Sequence, residues 1–192
     1  ENNPLRIIGN IIIYNQGGDG IRNTGFTSGN NAKSYIIDND IHMNGGSGIS
    51  ILGIKDSSIP YPITIDASFD YILFNSIYTN NYNSSLVNDG GITVELPSFN
   101  PPMGAQTTVR LHADYIFANY ISQNARHGIS FSNNALNPDL FSLFMSSTIY
   151  QNDISWNYYG GLFSHGLSDS FTGDIRCNDF ISNSAIGGIS LN

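Results

Sequence analysis

Three aspartates of this sequence share one local context, since Asp40, Asp153 and Asp179 each follow an asparagine directly and precede an apolar residue. If these segments are strands, side-chain alternation turns the three carboxylates outward. Asp153 and Asp179 lie in consecutive copies of the context and would stand about 5 Å apart, one strand spacing. Two carboxylates at that separation can cleave a glycosidic bond as acid and nucleophile, or recruit a cation such as Ca²⁺. The simpler alternative is a solvated surface pair.

The sequence contains one pair of adjacent basic residues, Arg126-His127. A basic side chain beside a carbohydrate groove can take up or deliver a proton when a polysaccharide is cleaved. The groups predicted to act if the protein is an enzyme are therefore Asp153, Asp179, Arg126 and His127.

Aromatic side chains recur at positions that suit contact with sugar rings. Tyr35, Tyr71 and Tyr115 each lie four residues before an asparagine, which predicts an outward column of three rings. This column is either a platform for a polysaccharide or packing between neighbouring strands, worth about 0.5–1.5 kcal/mol per ring pair. Other aromatics lie on long connections or beside a corner, where they either bind sugar or cover an apolar strip. They are Tyr61, Tyr82, Phe99, Trp156 and Tyr158.

These residues are placed by a phrase, Ile-x-x-Asn-x-Ile-x-x-Asn, that occurs six times at intervals of 26 to 44 residues, with Phe180 as its one substitution. The first asparagines of the copies are Asn10, Asn39, Asn75, Asn119, Asn152 and Asn178. The second are Asn15, Asn44, Asn80, Asn124, Asn157 and Asn183. Each copy then reaches a glycine that is followed at once by Ile or Leu.

The phrase predicts short strands, because one apolar position per strand, bracketed by turn residues, describes alternate side chains that face inward. Asn and Gly accept left-handed backbone conformations and are predicted to mark the corners between strands. Stacked Ile and Asn columns would then fill the interior. The fold class predicted is all-β, a right-handed parallel β-helix (solenoid) of about six rungs and three parallel sheets, with residues 1–192 as a single domain.

Composition limits the choice of partners. Hydrophobic residues make up 40% of the chain and charged residues only 11%, so neutral polar groups must cover much of the surface. The formal net charge of −8 leaves no basic stripe for phosphates, which excludes nucleic acid as a partner. No apolar run has the roughly 20 residues needed to span a bilayer. The single cysteine, Cys177, is predicted to be a small buried apolar residue.

The Asn/Gly repeat resembles the pectate-lyase-like superfamily of right-handed parallel β-helices, and the resemblance covers nearly the whole chain. It implies the fold more strongly than an activity, because that superfamily includes lyases, hydrolases, phage tailspikes and non-catalytic surface proteins. Lyases of the superfamily pair a calcium-binding acidic group with a basic residue, a role that Arg126 could take here. The paired aspartates and Gly-His-Gly of its polygalacturonases are absent.

The function expected is a non-catalytic extracellular, cell-surface or virion-surface module that contacts a polysaccharide or glycan surface and needs no cofactor. The alternative is a polysaccharide-degrading lyase or glycoside hydrolase, or a tailspike-type depolymerase. Because the repeat phrase reaches close to both ends of the sequence, we also expect end-to-end contact with further β-helix rungs or with another subunit.

Overall fold

The computed structural model describes residues 5–25, 34–53, 61–83, 89–97, 101–105, 107–135, 141–166, 171–184 and 187–191. These residues form a parallel β-helix of six rungs, as the repeat predicts. The 18 strands in chain order are β1 (Leu5–Ile8), β2 (Ile11–Ile13), β3 (Ile21–Gly25), β4 (Ser34–Ile37), β5 (Asp40–His42), β6 (Ile49–Gly53), β7 (Ile63–Leu73), β8 (Ser76–Tyr78), β9 (Gly90–Leu96), β10 (Thr107–Phe117), β11 (Tyr120–Ser122), β12 (His127–Asn133), β13 (Ser142–Tyr150), β14 (Asp153–Ser155), β15 (Gly160–His165), β16 (Phe171–Arg176), β17 (Asp179–Ile181) and β18 (Gly187–Leu191).

Each rung contributes one strand to each of three parallel sheets. Sheet A has the order β1-β4-β7-β10-β13-β16, sheet B is β2-β5-β8-β11-β14-β17, and sheet C is β3-β6-β9-β12-β15-β18. The register aligns equivalent phrase positions, so that Ile72 pairs with Ile36 on one side and Ile116 on the other. The repeat therefore sets which residues stack in columns.

Three aliphatic columns fill the interior of rungs 2 to 5. The inward Ile residues of sheets A and B in these rungs, such as Ile116 and Ile121, have no exposed surface. Each contributes roughly 1.5–3 kcal/mol by leaving water. In the first and last rungs the equivalent side chains, such as Ile12 and Phe180, are only partly buried, because a described rung packs on one side of each and not on both.

Two asparagine ladders run through the corners of the solenoid, one between sheets A and B and the other between sheets B and C. At Asn119, Nδ2 donates to Oδ1 of Asn152 in the next rung (2.9 Å) and to the carbonyl of Ile72 in the previous rung (2.8 Å). The Oδ1 of Asn119 accepts both the backbone N–H and the Nδ2 of Asn75. The buried amides are thereby satisfied, as buried polar groups must be.

The asparagines mark the corners, but the left-handed residue is the one before each of them. Twelve such residues have φ between 53° and 67°, among them Ala118, Gln123 and Trp156. Only one of these twelve positions is occupied by glycine, Gly9. The ladder bonds hold the corners in a conformation that non-glycine side chains rarely adopt. Asn is thus required for its hydrogen bonds rather than for its own φ.

The glycine that follows each second asparagine lies where two rungs approach most closely. A Cβ built on Gly128 would stand 2.5 Å from Cγ2 of Ile154 and 2.7 Å from the carbonyl oxygen of Gly161. Neither neighbour can move without disturbing the stack, because one is core and the other backbone. This column therefore consists of glycine for lack of space.

We expect Gly128→Ala to lower the free energy of unfolding by about 1–3 kcal/mol, the range for overpacking a close contact. Gly17→Ala is the matched control, since a Cβ there meets nothing within 4 Å. Thermal unfolding followed by far-ultraviolet circular dichroism measures both variants. Equal melting temperatures would contradict the steric explanation.

Candidate functional site

A concavity of about 470 Å³ lies at the corner between sheets B and C, where rungs 3, 4 and 5 leave β8, β11 and β14. Asn80, Asn124 and Asn157 of the second ladder anchor the backbone of this corner. The residues that line the concavity, here called the corner pocket, are Asn81, Tyr82, Gln123, Asn124, Ala125, Arg126, Trp156, Tyr158 and Tyr159.

Four of these residues are aromatic, and three of them are unusually open to solvent. The exposed fractions are 45% for Tyr82, 60% for Trp156 and 65% for Tyr158. Tyr158 packs edge-to-face on Tyr159, with ring centroids 5.5 Å apart. Large aromatic side chains normally bury most of their surface. Their convergence around one opening therefore indicates a contact surface, and it brings together Tyr82, Trp156, Tyr158 and Arg126 from the sequence prediction.

Polar groups are spaced between the rings of the corner pocket. The guanidinium of Arg126 lies 5.0 Å from the ring centroid of Tyr159, a cation–π contact. Arg126 is the one charged residue among the described residues that line the pocket. Gln123 is exposed, and the buried Oδ1 of Asn81 has no hydrogen-bond partner. The pocket thus offers the Arg126 guanidinium and the Gln123 amide beside its aromatic faces.

The predicted tyrosine column exists on the outer face of sheet A. Tyr35 stacks on Tyr71 and Tyr71 on Tyr115, with centroid separations of 5.0 and 5.4 Å and nearly parallel planes. At a contact distance of about 3.5–4.0 Å between carbons, the first separation displaces the rings sideways by roughly 3–3.6 Å. The three tyrosines therefore pack on one another between rungs. The offset leaves part of each ring face open, most of all at Tyr115, which is 47% exposed.

The aromatics on the long connections do not all behave alike. Tyr82 belongs to the corner pocket, whereas Tyr61 is partly buried and packs against the hydrophobic core. Tyr61 therefore has the covering role that was the alternative to sugar binding. Phe99 lies outside the described residues.

Of the four predicted catalytic groups, only Arg126 is among the described residues that line the corner pocket. Asp153 and Asp179 are register partners on the outer face of sheet B, as their common context predicts. Neither carboxylate lines the pocket that contains Arg126. His127 is only 1% exposed and its ring stacks on Phe163 at 4.2 Å. The expectation that His127 acts on substrate conflicts with this burial, because a catalytic base must reach the proton that it removes.

A second polar cluster lies at the start of sheet B. The Nδ1 of His42 is 2.9 Å from Oδ1 of Asp40, and the ring of Tyr78 stacks on the imidazole at 4.6 Å. Burial raises the pKa of Tyr78, and the nearby Asp40 carboxylate, to which its hydroxyl hydrogen-bonds, raises it further. The cluster binds rungs 2 and 3 together at their outer surface.

An acidic pocket of about 230 Å³, which the sequence did not predict, lies on the outer face of sheet C and contains Asp19, Asp89 and Glu95. Asp19 accepts the N–H of Ser47 (2.7 Å) and pairs with Arg22 (2.7 Å). Glu95 is buried, although by strand alternation it faces outward. Burial raises the pKa of Glu95, and the charges of Asp89 and Asp19 add to the increase, against a hydrogen bond from Asn134 that lowers it. No spacing in the sequence places these three carboxylates together.

The raised pKa of Glu95 predicts that the protein loses stability as the pH rises. Above the ordinary glutamate pKa the unfolded chain ionises first, so the folded state binds more protons and the free energy of unfolding falls with pH. We expect Glu95→Gln, which keeps the acceptor for Asn134, to raise the melting temperature more at pH 7 than at pH 4. Melting curves across this range measure the effect, and a gain independent of pH would contradict the linkage.

Cys177 is exposed, so the prediction that it is buried is wrong. It occupies the left-handed corner position before Asn178, with φ of 54°. Corner side chains of this kind point away from the stack. The repeat, rather than the apolar character of the residue, determines its exposure.

The described part of the chain contains no helix long and apolar enough to cross a membrane. Within the same residues, no three or more His, Cys, Asp or Glu side chains are grouped so that they could hold a metal ion. The Asp153–Asp179 pair therefore has no further ligand of these types beside it among the described residues. Binding of a cation by Asp153 and Asp179 stays a prediction.

Comparison of the chain with protein-family models, with curated proteins and with solved structures finds no match. The resemblance to the pectate-lyase-like superfamily therefore stays a prediction. The parallel β-helix is established by the strand pairing itself.

Proposed function

We propose that this protein is a non-catalytic surface module that binds a polysaccharide or glycan through the corner pocket. The observation that carries the proposal is the convergence of three exposed aromatic rings, Arg126 and the exposed amide side chain of Gln123 around one opening. A pyranose ring has an apolar C–H face and a rim of hydroxyls. Aromatic faces match the first, and amide and guanidinium groups match the second.

The corner pocket suits a ligand of modest intrinsic affinity because its frame is rigid. Trp156 is held at a left-handed corner, and the adjacent Asn157 is bonded to Asn183 in the next rung. A frame fixed in advance loses little conformational entropy when a ligand binds. The affinity then depends on ring contact rather than on ordering a loop.

The proposal places the module on a cell or virion surface, where glycan chains are abundant. A chain with a net charge of −8 and few charged side chains is consistent with contact through neutral polar and aromatic groups. The alternative of polysaccharide cleavage has less support, since neither Asp153 nor Asp179 is among the described residues that line the pocket of Arg126.

Affinity electrophoresis of the intact protein through gels containing neutral or acidic polysaccharides tests the proposal. We expect retardation by at least one polysaccharide and no shortening of that polymer on prolonged incubation. Absence of retardation by every polymer in the panel would overturn glycan binding. If the polymer is shortened and Asp153→Asn abolishes the shortening, the protein is an enzyme rather than a non-catalytic module.

A further inference from the structure

Strands β7 and β10 carry an aligned bulge on the outer face of sheet A. Asp70 and Tyr71 are both partly exposed although they are consecutive, and so are Asp114 and Tyr115. The register of β10 against β13 shifts between Ala113 and Tyr115, so β10 has one residue more than β13 at this point. A bulge re-aims the side chains around it. Here it turns a carboxylate and a tyrosine outward side by side.

Tyr115 separates two concavities on this face. On one side, an apolar groove of about 280 Å³ is lined by Tyr71, Leu73, Tyr115 and Phe117. On the other, a polar groove of about 290 Å³ has the lining residues Asp114, Tyr115, Ser146, Ser147, Thr148, Thr172, Gly173 and Asp174. One exposed ring therefore has an apolar surface on one flank and hydroxyl and carboxylate groups on the other.

The polar groove is rich in hydrogen-bond acceptors. The Asp114 carboxylate is 44% exposed and is oriented by Nδ1 of His112 at 2.8 Å. Asp174 is held by Arg176 at 3.1 Å. Ser147 lines the groove, is 4% exposed, and its Oγ has no hydrogen-bond partner. No Lys or Arg is among the described residues that line this groove, so an anionic ligand is disfavoured.

We propose that the grooves on either side of Tyr115 form a second saccharide-binding site, selective for neutral sugars rich in hydroxyls. The Tyr115 ring receives the C–H face, while Asp114, Thr172 and Asp174 receive the hydroxyl hydrogens. This site lies on sheet A and shares no residue with the corner pocket. The proposal takes its ligand class, a saccharide, from the proposed function. Its evidence comes from a separate set of residues.

Two sites on one rigid solenoid make the module bivalent. A polymer or a dense glycan layer that reaches both sites binds more tightly than a short sugar, because the second contact is intramolecular. The two sites also differ in charge, with Arg126 in the corner pocket and two carboxylates in the polar groove. Acidic sugars should therefore distinguish them.

Isothermal titration calorimetry with the neutral oligosaccharide of the polymer that retards the protein measures the number of sites. We expect two sites per chain in the native protein and one in Tyr115→Ala, with a weakened second site in Thr172→Val. Tyr120→Ala is the control, because Tyr120 is 42% exposed and lines neither site.

Thr172→Val removes a hydroxyl at nearly constant volume, so its effect does not depend on the tyrosine stack. If the native protein has one site, or if both variants keep two sites, the second site does not exist. The proposed function would still be supported in that case if a corner-pocket variant loses binding. Two sites that both persist in corner-pocket variants would count against the corner pocket instead.

Discussion

Replacement of Asn119 by aspartate is expected to lower the free energy of unfolding by about 3–5 kcal/mol, the range for leaving an uncompensated charge buried. Nδ2 of Asn119 donates to Asn152, Ile72 and Phe117, and a carboxylate has no hydrogen with which to replace any of these bonds. The site is 2% exposed, so water cannot take over. Since whole domains are stable by only about 5–15 kcal/mol, the loss is severe.

Asn10→Asp is the matched control, because Asn10 begins the same ladder but is exposed. Its Nδ2 donates to Asn39 and to the carbonyl of Ile8, where solvent can compensate. We expect a loss of less than about 1 kcal/mol, close to the net value of one hydrogen bond. Chemical denaturation at pH 7 measures both variants. Equal losses at the two positions would show that burial of the ladder is not what makes it stabilising.

Replacement of Trp156 is expected to have a large effect on glycan binding. Trp156→Ala is expected to weaken glycan binding at the corner pocket by at least about tenfold, which corresponds to 1.4 kcal/mol. The reason is that the indole is 60% exposed, so removing it takes away contact area without opening a cavity in the core. Titration calorimetry on the purified variant, with the oligosaccharide that the native protein binds, measures the change.

Tyr14→Ala controls for the backbone at Trp156. Tyr14 occupies the equivalent corner in rung 1, with φ of 61° against 57° and an exposed fraction of 62% against 60%. Both variants place alanine at a left-handed position and remove one exposed aromatic ring. Binding that falls equally in both would mean that the corner conformation, rather than the ring of Trp156, governs recognition.

The repeat phrase by itself determines the architecture. The spacing of Ile and Asn within each copy has the period of short strands and corners, and this local period suffices to predict three sheets, six rungs and the interior columns. It also predicted the register pair Asp153 and Asp179 and the stack of Tyr35, Tyr71 and Tyr115, because residues at the same phrase position lie one rung apart.

The corners show where local rules were insufficient. Asn was predicted to adopt the left-handed conformation itself, but residues such as Trp156 and Cys177 adopt it instead. The strain is balanced by hydrogen bonds to the rung above and the rung below. Those bonds join residues 26 to 47 positions apart, so no short window of sequence contains them.

Tertiary structure decided which side chains are buried and which surround an opening. Tyr82, Arg126 and Trp156 come from three rungs and meet because each lies within two residues of Asn80, Asn124 or Asn157, which stack in one ladder. Folding also buried His127 and assembled Asp19, Asp89 and Glu95 into one pocket. The period of a repeat sets which residues align along the stack. The paths of the connections between strands set which side chains meet on the outer surface. Those paths are determined only in the folded chain.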